Sequence, residues 1–125
     1  MRAFPSFVCF LMLCVSALAA TKEDQIDREW AAEKVREALR QREPILDGKG
    51  ALVVSSAAVA EAIHVAVASA AFGKATLREQ RPFHAIRSGD YWVVHGSLPP
   101  GFAGGTAVTV IRARDGAVVW LFHEA

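Results

Sequence analysis

The sequence predicts an α+β fold: two N-terminal helices followed by a four-stranded antiparallel meander that curves around the second helix. Three observations carry this. The hydrophobic period changes from helical to two after Gln80-Arg81-Pro82. Two turn signals, Ser88-Gly89-Asp90 and Arg114-Asp115-Gly116, stand between short runs rich in β-branched and aromatic residues, where only hairpins fit. An alanine-rich helical pattern precedes the strands and supplies the cover that one face of such a sheet requires. At 125 residues and 53% hydrophobic content the chain is a folding protein with room for one globular domain. Its net charge of +1 provides no basic field for nucleic acid. Composition therefore excludes a multidomain enzyme, a disordered regulator and a general nucleic-acid binder.

The first 20 residues read as a secretory signal peptide. Arg2 gives the positive start, residues 7–15 (FVCFLMLCV) form an apolar run of nine, and Ala17-Leu18-Ala19 is a small-residue cleavage site. Cutting is expected after Ala19 or Ala20. The run is too short for a membrane span of about 20 residues, so no membrane insertion is expected once the leader is removed. Cys9 and Cys14 both lie inside it. The mature chain is then expected to be periplasmic or secreted, without disulfides or cysteine metal sites.

Residues 23–42 are charged and free of Gly and Pro, with Ala31, Val35, Ala38 and Leu39 within one helical face. This first helix and its linker occupy 21–49, and Pro44 ends the helix. The roll domain occupies 50–125. Ser55 and Ser56 offer an N-cap for the second helix, Gly73 a stop, and Val59, Ile63, Ala66, Val67 and Ala70 an apolar stripe. Strands are expected at 83–87, 91–97, 106–113 and 117–123, with a Pro/Gly-rich loop at 98–105. In the second strand Trp92 and Val94 share one face, and Tyr91, Val93 and His95 the other. Val118, Trp120 and Phe122 share a face of the last strand. Trp92, Trp120, Phe83 and Phe122 are expected in the core.

The ordered set Gln80-Arg81-Pro82-Phe83, Gly89-Asp90-Tyr91-Trp92-Val93-Val94-His95-Gly96-Ser97-Leu98-Pro99, Gly104-Gly105, Arg114-Asp115-Gly116 and His123 resembles a family of small bacterial immunity proteins. These have a nuclear-transport-factor-2-like (cystatin-like) roll and belong to polymorphic toxin systems. The resemblance covers roughly residues 57–123. It implies binding and not catalysis: occupation of a toxin by a protein that shields the producing cell. It also implies structural roles for Pro82, Trp92, Gly96, Leu98, Pro99, Gly104, Gly105, Asp115 and Gly116. An export signal departs from the cytoplasmic action of many immunity proteins and would place the neutralised toxin in the periplasm.

For chemistry, no pair among His64, His84, His95 and His123 has the spacing of a helical zinc motif, and no metal or other cofactor is expected. His95 and His123 could share a strand face. Asp90 and His95 are the only residues suited to act as a general base, and a turn Asp is favoured for backbone hydrogen bonding alone. Gly104-Gly105 suits a strand that opens on a bend or, alternatively, an anion nest. Phe102 is an apolar residue at the tip of a stiff loop, where a core residue is not expected.

The expected function is that of a non-enzymatic exported inhibitor whose partner is a toxin or lytic enzyme. Contact is expected at the open sheet face and its rim: Tyr91, His95, Phe102 and His123. Two alternatives use other features. A periplasmic small-ligand binder or lyase-like enzyme would use the concavity of the roll, and a structural subunit of an envelope assembly would dock through the charged first helix.

Overall fold

The computed structural model describes residues 21–41 and 52–125. The expected signal peptide, Pro44 and the turn at 47–50 lie outside the described residues. The chain divides into two compact units, Met1–Glu43 and Pro44–Ala125.

The first unit contributes helix α1 (Lys22–Leu39). Thr21 caps it reciprocally: its Oγ1 accepts the Asp24 N–H at 3.2 Å, and the Asp24 carboxylate accepts the Thr21 N–H at 3.0 Å. The Thr21 N–H and the Thr21 hydroxyl, both donating to the Asp24 carboxylate, hold that carboxyl below the ordinary carboxylate range. No residue of α1 is buried, which follows from a face of two alanines, a valine and a leucine among dense charge.

The second unit runs α2 (Ala57–Phe72), α3 (Lys74–Glu79), β1 (His84–Ser88), β2 (Tyr91–His95), β3 (Ala107–Arg112) and β4 (Val118–His123). Ser56 caps α2, its hydroxyl accepting the Val59 N–H. Gly73, at φ 98°, ends it in a conformation closed to most side chains. The strands form one antiparallel sheet in the order β1-β2-β3-β4, the expected meander. The short helix α3 was not expected from the sequence; its six residues are too few to show a period.

Helix α2 packs one face of the sheet, but not through the expected stripe. Ala60, His64 and Ala68 are buried, Ile63 and Val67 are half-buried, and Val59, Ala66 and Ala70 are exposed. The helix is apolar nearly all round, so periodicity alone does not choose a face. The small side chains of Ala60 and Ala68 choose it, by letting backbone and sheet approach. Around them Val54, Trp92, Val94, Ile111 and Ala113 form one core cluster, and Ala68, Leu77 and Ala107 form a second. The segment before α2 joins the first cluster. The Val53 and Val54 amides donate to the carbonyls of Arg114 and Ala113, and the Trp92 indole donates to the Val54 carbonyl at 2.9 Å.

Several motif residues act on the backbone. Gln80 is buried between strand ends: its side-chain oxygen accepts the Ala107 N–H at 2.9 Å, and its carbonyl accepts the Ser97 N–H at 2.7 Å. A Cβ on Gly96 would lie 2.7 Å from Gln80 Cβ, and one on Gly105 would lie within bonding reach of Glu124 Cβ. Only glycine fits at either place. Arg81-Pro82 is a cis peptide, and the Pro82 carbonyl accepts the Ser97 hydroxyl at 2.7 Å. Asp115 accepts from Arg112 and from the Ala117 N–H, which closes the β3–β4 turn, and Gly116 follows at φ 75°. These hydrogen bonds from Arg112 and Ala117 hold the Asp115 carboxyl down to about 2. Nothing in the structure explains Leu98, which is exposed.

Candidate functional site

Strand register places alternate residues on the sheet face turned away from α2. One row across the four strands reads His84, His95, Val108, Phe122, and the next reads Ile86, Val93, Val110, Trp120. A third reads Ser88, Tyr91, Arg112. The middle row of this face is apolar, and its ends on the edge strands are the most open: Ile86 on β1 is 54% exposed and Trp120 on β4 62%, while Val93 and Val110 between them are half-buried and Val108 is buried. The Trp120 and Phe122 rings lie 4.5 Å apart, tilted by 36°.

Trp120 and Phe122 are therefore not core residues, contrary to the expectation from the sequence. A register shift at Val110/Ile111 sets Val118 opposite Ile111, while Trp120 pairs with Val110. Val118 and Trp120 then fall on opposite faces, and both aromatic rings turn to the open side. Trp92 and Phe83 do take core positions beneath α2.

The ends of the face are polar. At one end the His84 and His95 rings lie 5.2 Å apart. The Ser97 hydroxyl donates to Pro82, so it accepts from His84 Nε2–H at 2.9 Å. His95 Nδ1–H donates to the Gly96 carbonyl at 2.7 Å. The other ring nitrogens, Nδ1 of His84 and Nε2 of His95, have no hydrogen-bond partner among the described residues. Beside them a shallow depression of about 540 Å³ wraps the β1 edge, lined by Glu61, Phe83, Ala85 and Ile86 as well as the two histidines. At the other end Tyr91 borders a depression of about 310 Å³ with Leu52, Asp90, Arg112 and Arg114. Asp90 itself is an exposed residue of the β1–β2 turn whose carbonyl accepts the Ala113 N–H.

Of the four expected contact residues, the structure brings two together on this face, Tyr91 and His95. Phe102 lies apart on the connecting loop, 70% exposed. That loop leaves the sheet at the end where His95 stands. His123 lies on the opposite side: it pairs with Ala107, its ring meets Phe72 edge-on at 5.5 Å, and its Nε2 accepts from the Gln80 amide at 2.9 Å. His95 and His123 thus do not share a face, because one-residue alternation along paired strands separates them.

His64, to which the sequence assigns no role of its own, is fully buried in the structure. Its Nδ1 hydrogen-bonds Thr109 Oγ1 at 2.7 Å, and its ring meets Phe83 edge-on at 5.1 Å. Nε2 has no hydrogen-bond partner among the described residues. Burial, with a smaller push from His95, holds this imidazole below the usual histidine range. Among the described residues no group of three or more His, Cys, Asp or Glu side chains is placed to hold a metal ion, and no helix is long and apolar enough to cross a membrane.

A sheet with a helix on one face and an aromatic surface on the other defines an α+β roll. The family model described as NTF2 fold immunity protein, an immunity protein with the nuclear-transport-factor-2-like fold, matches residues 57–125, and the chain belongs to that family. Membership carries toxin neutralisation as the general role and a protein as the partner. No curated protein and no solved structure matches the chain.

Proposed function

We propose that this chain is an exported immunity protein that binds a toxin or lytic enzyme through the open sheet face and covers it sterically, without turnover. The observation that carries the reading is the unpartnered apolar face centred on Ile86, Val93, Val110, Trp120 and Phe122. It has polar groups at both ends, the arrangement of a protein-binding patch with a dry centre and a wet rim. Tyr91 and Trp120 are its anchors, being large, partly exposed and set on rigid strands. Phe102 extends the surface from the loop. His95 stands at the rim, and His123 contributes through the fold by bonding Gln80.

The small-ligand alternative calls for a deep cleft with converging polar groups. The space beneath α2 is instead occupied by Val54, Ala60, His64, Trp92, Val94 and Ile111. The envelope-assembly alternative rests on α1 alone.

The test is capture from envelope and secreted extracts with the purified chain as bait, followed by a toxicity assay on the captured protein. A single stoichiometric partner whose toxicity the chain silences is the expected result. Capture of a non-toxic partner, or toxicity that the chain leaves unchanged, would overturn the reading. Export is tested by N-terminal sequencing of the fractionated protein, which should begin at Ala20 or Thr21.

A further inference from the structure

We infer that β4 is a self-association edge, at which two copies of this chain pair their last strands antiparallel and join two four-stranded sheets into one.

The two edges of the sheet differ. Strand β1 lies under α2 and carries Arg87 and His84. Strand β4 (VVWLFH) has six residues with no Lys, Arg, Asp, Glu, Pro or Gly among them. Those are the residues by which edge strands usually discourage pairing. The one protective irregularity, the shift opposite Val110/Ile111, falls at the start of β4 and leaves Trp120–His123 regular. At the far end of α2 the Phe72 ring meets His123, and Leu121 packs against the cluster of Ala68, Leu77 and Ala107, whereas Val118 and Val119 stay exposed. An unbroken apolar run suits a strand covered on every side; here, among the described residues, nothing pairs with the outer edge.

The direction of the open hydrogen bonds follows from the ladder. The Glu124 N–H donates inward to the Thr106 carbonyl. By alternation the main-chain groups of Phe122 and Trp120 also point inward, and those of Leu121 and His123 point outward. Among the described residues none bonds the outward groups of Leu121 or His123.

The occupant that fits is the same strand. Residues with outward main-chain groups must meet one another, so a twofold axis at Leu121 sets Leu121 against its own copy. Trp120 of each chain then faces Phe122 of the other on the open side. The existing Trp120–Phe122 pair becomes a cluster of four rings, a favoured cross-strand combination. No charge meets a like charge, and a net charge of +1 does not drive two chains apart.

The test is the mass of the purified chain by sedimentation equilibrium over rising concentration, with no toxin present, so its result is separate from the toxin reading. The expected result is a shift from one chain to two. Trp120→Lys should weaken the dimer at least tenfold, because it sets a charge against the Phe122 ring and two charges diagonal to each other. Phe122→Glu should do the same. Mixing the two variants should restore a dimer, since each chain then offers the other's complement. Ile86→Lys, on the far edge, should leave it intact. Trp120 is exposed, so its variant should keep the parent circular dichroism, which is checked alongside. A single-chain mass up to about 1 mM, a dimer indifferent to Trp120→Lys, failure of the mixture to restore it, or loss with Ile86→Lys would each overturn the inference.

Discussion

At His64, one side chain combines core packing with a titratable ring. The imidazole is fully buried, is bonded on one nitrogen to Thr109 and is kept neutral by its surroundings. Its folded-state pKa lies below the unfolded value of 6.5, so below that pH the unfolded chain binds the extra proton and the folded chain resists it. The stability it contributes is therefore present above about pH 6.5 and is lost as pH falls through the window beneath. Urea unfolding across pH 5–8 should show this loss (roughly the histidine range), and His64→Phe should flatten the slope. Asp115 acts lower down. Its pKa falls from 3.8 to about 2 on folding, so its contribution holds above 3.8 and disappears as pH drops through about 2; Asp115→Asn should remove that acid limb. Thr109→Val should strand the second His64 nitrogen and cost about 1–3 kcal/mol in the same urea experiment. Gly96→Ala should also cost about 1–3 kcal/mol, because the added methyl meets Gln80 backbone and Cβ and not a flexible chain end.

At the scale of the element, the two strand tryptophans make opposite predictions. Trp92 packs under α2 and bonds Val54, so Trp92→Ala should cost about 3–5 kcal/mol of stability. Trp120 is 62% exposed. Measured at a concentration where the chain is single, Trp120→Ala should leave the melting temperature nearly unchanged, and it should weaken toxin binding by about 2 kcal/mol, roughly thirtyfold in Kd. Calorimetry and titration binding separate the pair. The sequence distinguishes these two residues poorly. Both sit in alternating strands, and the shift opposite Val110/Ile111 that flips Val118 relative to Trp120 has no turn or glycine signal of its own. The α2 face was hidden for a different reason, since a helix of alanines and valines has no polar side to mark its back. The meander itself was legible, because Ser88-Gly89-Asp90 and Arg114-Asp115-Gly116 permit little besides hairpins. Its observed strands start or stop within two residues of expectation.

For the whole molecule, a helix α1 without a buried residue and a roll with its own two core clusters predict independent stability. Deleting residues 1–43 should leave the unfolding midpoint of the roll within a few degrees of the parent, measured by near-UV circular dichroism. The open face was partly legible in advance: Tyr91 and His95 follow from period two alone, whereas placing His123 on the other side needed the β3–β4 register. Gln80 stood in the motif with no role that spacing could suggest, since its partners Ala107, Ser97 and His123 are brought to it only by the folded sheet. The central claim is that the face opposite α2 neutralises a toxin. Its most direct test is survival of cells challenged with the captured toxin while making either the parent chain or Tyr91→Ala/Trp120→Ala. Parent cells should survive, and cells with the double variant, folded with the same melting temperature, should die. Equal protection by the folded double variant would contradict the claim and move the toxin-binding surface elsewhere on the roll.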